Sequence, residues 1–268
     1  MSAPLYVVDA FTDRPFAGNP AAVCWLESWP EDAWLQAVGN EMNLSETAFV
    51  VRRREGIEFE LRWFTPAVEV SLCGHATLAA AHAIWDSHAY PLIPLTFHTK
   101  SGPLTATPLA SGEIELDFPA RPATVTDAPP GFLEALGAKA LWVGSNSDDL
   151  LVEVGCEAEV RALTPDFQKL AAAKCRGVIV TARSDDARFD FVSRFFAPAS
   201  GIDEDPVTGS AHCCLAEYWG PKLGKTEMLG YQASARGGIV RVSRGDDRVR
   251  LGGRAVTISR GELIVPQC

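Results

Sequence analysis

The chain has 268 residues, and its 24 Lys and Arg residues against 34 Asp and Glu residues give a net charge of −10. A chain of this length can bury roughly 70–75% of the surface that it exposes when unfolded, so core size does not limit its stability. The acidic balance argues against nucleic acid and anionic membranes as partners.

The composition also predicts where the protein works. The first residues, MSAPLYVVDAF, lack the basic start of a signal peptide, and no apolar run reaches the length of a membrane span. Seven cysteines form an odd set without a CxxC pair, which indicates reduced thiols rather than a disulfide framework. We therefore expect a soluble, cytoplasmic protein.

Short runs of apolar, β-branched and aromatic residues dominate the chain and predict strands. In chain order these runs are residues 5–11, 21–26, 47–53, 57–64, 104–110, 113–118, 141–145, 150–154, 177–183, 189–196, 238–243, 248–253 and 255–261. The predicted helices are residues 30–42, 74–87, 164–174 and 209–219. Many strands with few helices indicate an α+β fold rather than a regular βαβ alternation.

The chain contains an internal repeat. The run RWFTPA at residues 62–67 recurs as RFFAPA at 194–199, and GHA at 74–76 recurs as GSA at 209–211. Chance similarity between two alanine-rich helices is the alternative explanation. The repeat predicts two similar domains related by a pseudo-twofold axis, residues 1–121 and 122–268, joined near the proline-rich segment 117–131. A final strand near 258–268 is expected to return to the first domain.

Each repeat places a glycine at the start of a helix, where unpaired N–H groups and the helix dipole favour an anion. If the two domains face each other, both helix starts would share one cleft, suited to a ligand that carries a carboxylate and develops negative charge. The first start carries Cys73 and His75, whereas the second carries Asp205 and Ser210. As the structural alternatives, His75 would only hydrogen-bond its own loop, and Asp205 would only form a turn.

A further candidate is Glu46, in the segment NLSETAFV at residues 43–50. At the start of an apolar strand, removal from water would make this carboxyl group a useful proton carrier; alternatively it caps a turn after the preceding helix. The segment GPKLGKT at residues 220–226 lacks the spacing of a phosphate-binding loop, and no GxGxxG follows the first strand. The histidines show no metal-binding spacing, so no metal site is predicted.

Four segments, in this order, resemble the signatures of the PhzF-like phenazine-biosynthesis isomerase family over nearly the full chain. They are DAFTDRPFAGNPAAV at 9–23, NLSETAF at 43–49, LCGHATLAAAH at 72–82 and DEDPVTGSAH at 203–212. The resemblance implies the diaminopimelate-epimerase-like fold, in which two similar domains each wrap a curved, mainly antiparallel sheet around a central helix. It also implies an active site in the cleft between them.

The resemblance implies roles for individual residues as well. Glu46 would be the acid/base, assisted by His75, Asp205 and Ser210. The positions implied to contact a small carboxylate-bearing substrate are Asn19, Ser45, Cys73, Gly74, Ala76 and Gly209. The family uses no cofactor, and a homodimer is expected.

Two features leave the activity open. Epimerases of the same fold use one thiol from each half, which makes Cys73 a competing base, but residues 205–209 offer no thiol. The segment YQASARGGIVRV at 231–242 is closer to the phenazine-biosynthesis-like-domain proteins than to the phenazine enzymes. A cofactor-independent isomerase is predicted, with a cysteine-dependent epimerase or a non-catalytic binding protein as the alternatives.

Overall fold

The computed structural model describes residues 2–53, 57–173 and 175–264. The chain divides into two compact units, Met1–Asp117 together with Gly252–Cys268, and Phe118–Leu251. The predicted domain boundary at residue 121 lies four residues beyond this division. None of the helices within the described ranges combines the length and the apolar character needed to cross a bilayer.

The described residues form seventeen strands, six α-helices and one 3₁₀ turn at Pro198–Ser200. The strands are β1 (Ser2–Ala10), β2 (Asn19–Leu26), β3 (Glu46–Arg52), β4 (Glu58–Phe64), β5 (Glu69–Val70), β6 (Leu95–Thr99), β7 (Gly102–Pro108), β8 (Ile114–Pro119), β9 (Thr124–Val125), β10 (Trp142–Ser145), β11 (Asp149–Glu153), β12 (Gly177–Arg183), β13 (Phe191–Phe196), β14 (Glu227–Gln232), β15 (Gly238–Arg244), β16 (Arg248–Gly253) and β17 (Ala255–Ile264). The helices are α1 (Asp32–Met42), α2 (Gly74–Asp86), α3 (Phe132–Leu136), α4 (Glu157–Ala162), α5 (Phe167–Leu170) and α6 (Gly209–Leu223).

The predicted α+β class is confirmed, and three of the four predicted helices are present as α1, α2 and α6. The prediction of a helix over 164–174 is wrong, because α5 covers only Phe167–Leu170. The N–H groups of Ala172 and Ala173 bond carbonyls three residues back, so the chain continues as turns. Lys174, the last residue of that prediction, lies outside the described residues.

The sequence patterns missed the strands β5, β6, β9 and β14 and the short helices α3 and α4. Two of these strands have only two residues, too few to show alternation. In β14 the strand pattern is interrupted by Gly230, where a Cβ atom would come within 2.5 Å of the Phe191 ring. Gly230 therefore lets the Phe191 ring pack against the strand, but it interrupts the run of side chains by which a strand is recognised in the sequence.

In the first unit, a curved set of strands surrounds α2. Antiparallel neighbours are β1 with β17 and with β2, β3 with β4, β6 with β7, and β7 with β8, whereas β2 with β3 and β4 with β6 run parallel. Ten of the thirteen residues of α2 are buried, as expected for a helix enclosed by a sheet. The last strand, β17, belongs to this unit; residues 265–268 of the predicted final strand lie outside the described residues.

The second unit has the same order of strand directions. Strands β10 with β11, β12 with β13, and β14 with β15 are antiparallel, and β11 with β12 and β13 with β14 are parallel. Its central helix is α6, which packs against β14 and β15 and ends at Gly224, where φ is 65°. A left-handed residue after the last turn is the usual way to end a helix.

The repeat extends to an ion pair in each unit. Arg62 binds Glu69 through Nε and Nη2, both at 2.8 Å, and Arg194 binds Glu204 through the same nitrogens at 2.7 and 2.9 Å. Glu204 lies ten residues after its arginine and Glu69 only seven; the offset between the repeats likewise grows by three, from 132 residues at RWFTPA to 135 at GHA. Both arginines also lie over a phenylalanine ring two residues further on. Such agreement excludes chance similarity between two helices.

Candidate active site

Four of the predicted residues meet in the first unit, at the start of α2. Asn19 and Glu46 are the first residues of β2 and β3, and because these strands run parallel, both residues lie at one edge of the sheet. Cys73 is the N-cap of α2 in an extended conformation, and His75 is the second residue of the helix. The chain thus brings three separate segments together.

The imidazole of His75 lies at the centre of this group. Its Nε2 is 3.1 Å from Glu46 Oε2, and its Nδ1 is 3.1 Å from Asn19 Nδ2 and 3.6 Å from Cys73 Sγ. Only 5% of the His75 side chain and 13% of the Glu46 side chain are exposed. The ring is therefore fixed on one side by Asn19 and Cys73, and its other nitrogen faces the carboxyl group.

The charges around His75 set its protonation. Burial lowers the pKa of His75, but the negative charges of Cys73 and Glu46 raise it, and the net pKa lies well above its ordinary value. Burial also raises the pKa of the Cys73 thiol, and Glu46 raises that pKa further.

Both protonation states of His75 direct a proton at Glu46. In the neutral ring the amide nitrogen of Asn19 donates to Nδ1, so the proton is on Nε2. In the protonated ring Nδ1 carries a proton as well, and the contact with Asn19 then requires the amide to turn its oxygen toward the ring. The Nε2 proton therefore faces the Glu46 carboxyl group in either state.

The facing atoms of this pair have no well-aligned hydrogen bond. Glu46 Oε2 and His75 Nε2 are buried, and within the described ranges neither finds a partner of good geometry, although they lie at ion-pair distance from each other. Buried polar atoms nearly always have a partner, and exceptions of this kind concentrate at functional sites. The arrangement can transfer a proton to or from a bound molecule.

The same group also contains possible metal ligands. One ligand atom each from Glu46, Cys73 and His75 lies within 4.8 Å of the others. Cys73 contacts Nδ1 of the ring and Glu46 faces Nε2, so one ion bound to a single ring nitrogen would need one of the other two side chains to move. The geometry fits proton transfer better than it fits a metal centre, and the predicted absence of a metal stays a prediction.

In the second unit, Asp205 belongs to a buried network before α6. Its carboxylate accepts a hydrogen bond from the Thr208 hydroxyl, and its backbone carbonyl accepts one from Gln232 Nε2 at 2.7 Å. The other end of the amide, Gln232 Oε1, accepts the Thr208 N–H at 2.9 Å. Gln232 is fully buried, so it holds both ends of this loop in place.

Ser210 has different partners. Its Oγ accepts a hydrogen bond from Arg176 Nη2 at 2.9 Å, and Arg176 also forms a two-point ion pair with Asp149, whose side chain is fully buried. Sequence reasoning missed Gln232, Arg176 and Asp149, because none belongs to a recognisable motif. The offset of 132 residues between RWFTPA and RFFAPA places Gly177 rather than Arg176 at the position of Ser45, so the sequence alone offered no signal for this arginine.

The remaining predicted residues are Ser45, Gly74, Ala76 and Gly209. Ser45 directly precedes β3 and is half-buried, and Gly74 and Gly209 are the first residues of α2 and α6. The N–H of Ala76 bonds the Cys73 sulfur, which keeps the thiol against the helix. Asn19, Glu46, Cys73 and His75 are thus in contact within one unit, whereas the roles given to the other residues stay predictions.

Comparisons with known proteins agree with this arrangement. The family described as phenazine biosynthesis-like protein (PhzC-PhzF) matches residues 8–261. An uncharacterized isomerase of Halalkalibacterium halodurans is 51% identical over 99% of this chain and 100% of the relative. The phenazine biosynthesis-like domain-containing protein of Homo sapiens is 39% identical over 98% of this chain and 99% of the relative.

Solved structures extend the comparison. The crystal structure of a phenazine biosynthesis protein of the PhzF family from Enterococcus faecalis has a TM-score of 0.93 and 43% identity, covering 99% of this chain and 100% of that chain. A probable proline racemase from Agrobacterium radiobacter, at 12% identity and a TM-score of 0.67 over 98% of this chain and 93% of that chain, shares the fold alone.

These findings define an α+β protein of the diaminopimelate-epimerase-like fold with a family assignment as an isomerase. The chain belongs to the family of phenazine biosynthesis-like proteins. The resemblance inferred from the four sequence segments is therefore confirmed.

Proposed function

We propose that the protein is a cofactor-independent isomerase that moves a proton on a small carboxylate-bearing molecule, with Glu46 as the acid/base. The observation that carries this proposal is the buried pair of Glu46 and His75, 3.1 Å apart, whose facing atoms lack a well-aligned partner among the described residues. A carboxyl group with an adjacent proton donor, largely shielded from water, suits general acid/base catalysis.

In the proposed reaction the Glu46 carboxylate takes a proton from one carbon of the substrate and delivers a proton to another, and the carboxyl proton exchanges with solvent between the two steps. The electron pair left behind delocalises as an enolate-like charge, which the free N–H groups in the first turn of α2 would stabilise. His75 keeps its Nε2 proton directed at Glu46, while Asn19 and Cys73 fix the ring. No proton or electron is gained or lost overall.

We also propose that Asp205 and Ser210 assist from the second unit, and that the protein is a cytoplasmic homodimer. Both points follow from the family resemblance. The names of the relatives mention isomerases and phenazine biosynthesis, and they suggest a small organic acid without identifying it.

The second candidate is a cysteine-dependent epimerase, and the contact of 3.6 Å between Cys73 Sγ and His75 Nδ1 favours it. Burial raises the pKa of this thiol, however, whereas a catalytic thiol must ionise readily. If Cys73 is a structural thiol, iodoacetamide at pH 7.5 will alkylate the more exposed Cys156 first. Preferential alkylation of Cys73, read by peptide mass spectrometry, would favour the epimerase.

The test is incorporation of deuterium from D₂O into candidate acids with an acidic C–H bond, such as conjugated dienoic acids and α-amino acids. Glu46→Gln should lower the exchange rate about 10²–10⁴-fold, because it removes the proton carrier. Cys73→Ser should retain exchange, and Glu27→Gln, at an exposed position of the same unit, is the matched control. Loss of exchange in Cys73→Ser with full exchange in Glu46→Gln would overturn the assignment.

A further inference from the structure

The second unit contains an arginine whose position the acid/base chemistry does not explain. Arg176 lies directly before β12 and donates from Nε and Nη2 to the two carboxylate oxygens of Asp149. The Asp149 side chain is fully buried, whereas 40% of the Arg176 side chain is exposed. The buried carboxylate therefore fixes the plane of a guanidinium group that still reaches the surface.

This pairing leaves part of the guanidinium available. Within the described part of the chain, Arg176 Nη1 has no hydrogen-bond partner, because Asp149 and Ser210 use only Nε and Nη2. Ser210 accepts from Nη2 at 2.9 Å, so its own hydroxyl proton is free to donate. Nη1 and the Ser210 hydroxyl are thus two donors of one hydrogen-bonded group that have no acceptor among the described residues.

Donors without an acceptor suit a carboxylate. Nη1 can donate to one oxygen of a carboxylate and the Ser210 hydroxyl to the other, and a guanidinium already held in place loses little further freedom when it binds. Asp149 neutralises the net charge of Arg176 but cannot use the N–H bonds of Nη1. We therefore expect the site to select a carboxylate mainly through hydrogen-bond geometry. The exposed part of the Arg176 guanidinium adds a weak attraction for negative charge.

The two repeats differ at these positions in a way that fits this role. Strand pairing aligns Thr47 with Val178, since each lies opposite the last phenylalanine of the next strand. Arg176 then corresponds to Ser45, and Ser210 corresponds to His75. The first repeat therefore has a serine and an imidazole at these two positions, whereas the second has a fixed arginine and a hydroxyl.

We infer that Arg176, oriented by Asp149 and joined by Ser210, binds a carboxylate group of the ligand. The ligand class rests on the proposed function, but the site itself rests on contacts within the second unit. Arg176 is thus a specificity-determining residue, and Asp149 is the positioning residue that keeps the guanidinium group in one plane.

The test is an NMR titration of the full chain with acetate and with malonate, in protein carrying ¹⁵N label. In the wild-type protein the side-chain signals of Arg176 and the backbone amide of Ser210 should shift in a saturable manner. The double variant Asp149→Asn/Arg176→Gln replaces the ion pair by two amides, because removal of Arg176 alone would leave a buried carboxylate unpaired. This variant should bind acetate at least about tenfold more weakly, as expected for loss of a charged hydrogen bond.

The matched control is Asp186→Asn/Arg188→Gln, which removes an exposed ion pair of the same unit without altering the net charge. It should bind acetate like the wild type. Unshifted Arg176 signals in the wild-type protein would overturn the inference, as would unchanged affinity in the folded double variant. If the double variant does not fold, the wild-type Arg176 signals decide.

Deuterium exchange and acetate affinity distinguish failure of the proposed function from failure of this inference. Glu46→Gln should keep the acetate affinity of the wild type while it loses deuterium exchange. A wild-type protein that binds acetate at Arg176 but exchanges no proton in any candidate acid would refute the proposed reaction and keep the carboxylate site.

Discussion

His212 makes folding stability depend on pH in a window that the structure defines. The imidazole is fully buried in α6, where Nδ1 lies 2.8 Å from the Thr208 carbonyl and donates to it. Burial lowers the pKa of His212 to about 4, whereas an unfolded chain has the ordinary value of about 6.5. The folded state therefore excludes a proton that the unfolded state binds.

The sign and size of the effect follow from this difference. Stability from His212 is fully present above pH 6.5 and is lost as the pH falls toward 4, because only the unfolded state gains the proton there. The loss should reach about 2 kcal/mol at pH 5 and about 3 kcal/mol at pH 4. Urea unfolding at several pH values measures it, with His212→Gln as the variant that cannot titrate.

The comparison uses the slope of stability against pH, because His212→Gln also changes packing. The free energy of unfolding should fall more steeply for the wild type than for this variant between pH 6.5 and 4. His88→Asn, which alters an exposed histidine, should leave the wild-type slope unchanged. Equal slopes for the wild type and His212→Gln would refute the assignment of a neutral, buried imidazole.

Two further substitutions test the packing of the second repeat, and both are measured by urea unfolding. Gly177→Ala should lower the free energy of unfolding by about 1–3 kcal/mol, because the new Cβ atom would lie 2.2 Å from the Phe195 ring. Its control is Gly261→Ala in the first unit, which has no neighbour within 4 Å and should leave stability close to unchanged. Arg194→Lys should lower the free energy of unfolding by about 1–3 kcal/mol, because lysine cannot form the two-point ion pair with Glu204. Its control is Arg188→Lys, at a side chain that is 77% exposed, which should change stability by less than about 0.5 kcal/mol. Equal effects within either pair would contradict the packing argument.

The sequence predicted most of the fold because the strands are long and apolar and the repeat has its own signature. It failed where tertiary contacts override local preference. The alanine run after α5 has a high helix propensity, yet residues 172 and 173 form turns. In β14, Gly230 leaves room for the Phe191 ring, and the same glycine interrupts the sequence pattern that would predict a strand. The local sequence pattern does not reveal these tertiary contacts.

The candidate site was predictable in part, for a related reason. Glu46 and His75 lie in recognisable segments, but their separation of 3.1 Å depends on the parallel pairing of β2 with β3 and on the start of α2. Arg176 and Asp149 belong to no motif, and their relationship appears only when β11 and β12 are paired. Residues that act through an ion pair across strands leave no local signal.

The two repeats share a fold but not a chemistry, and one steric contact helps to explain the difference. The position of Glu46 corresponds to Gly177 in the second repeat, where even a Cβ atom would collide with the Phe195 ring. The position of Cys73 corresponds to Thr208, whose hydroxyl is bonded to Asp205. The second repeat therefore offers neither a carboxyl group nor a thiol where the first has both. A racemase that uses one base from each half needs a matched pair, and the aligned positions of the second repeat do not supply one.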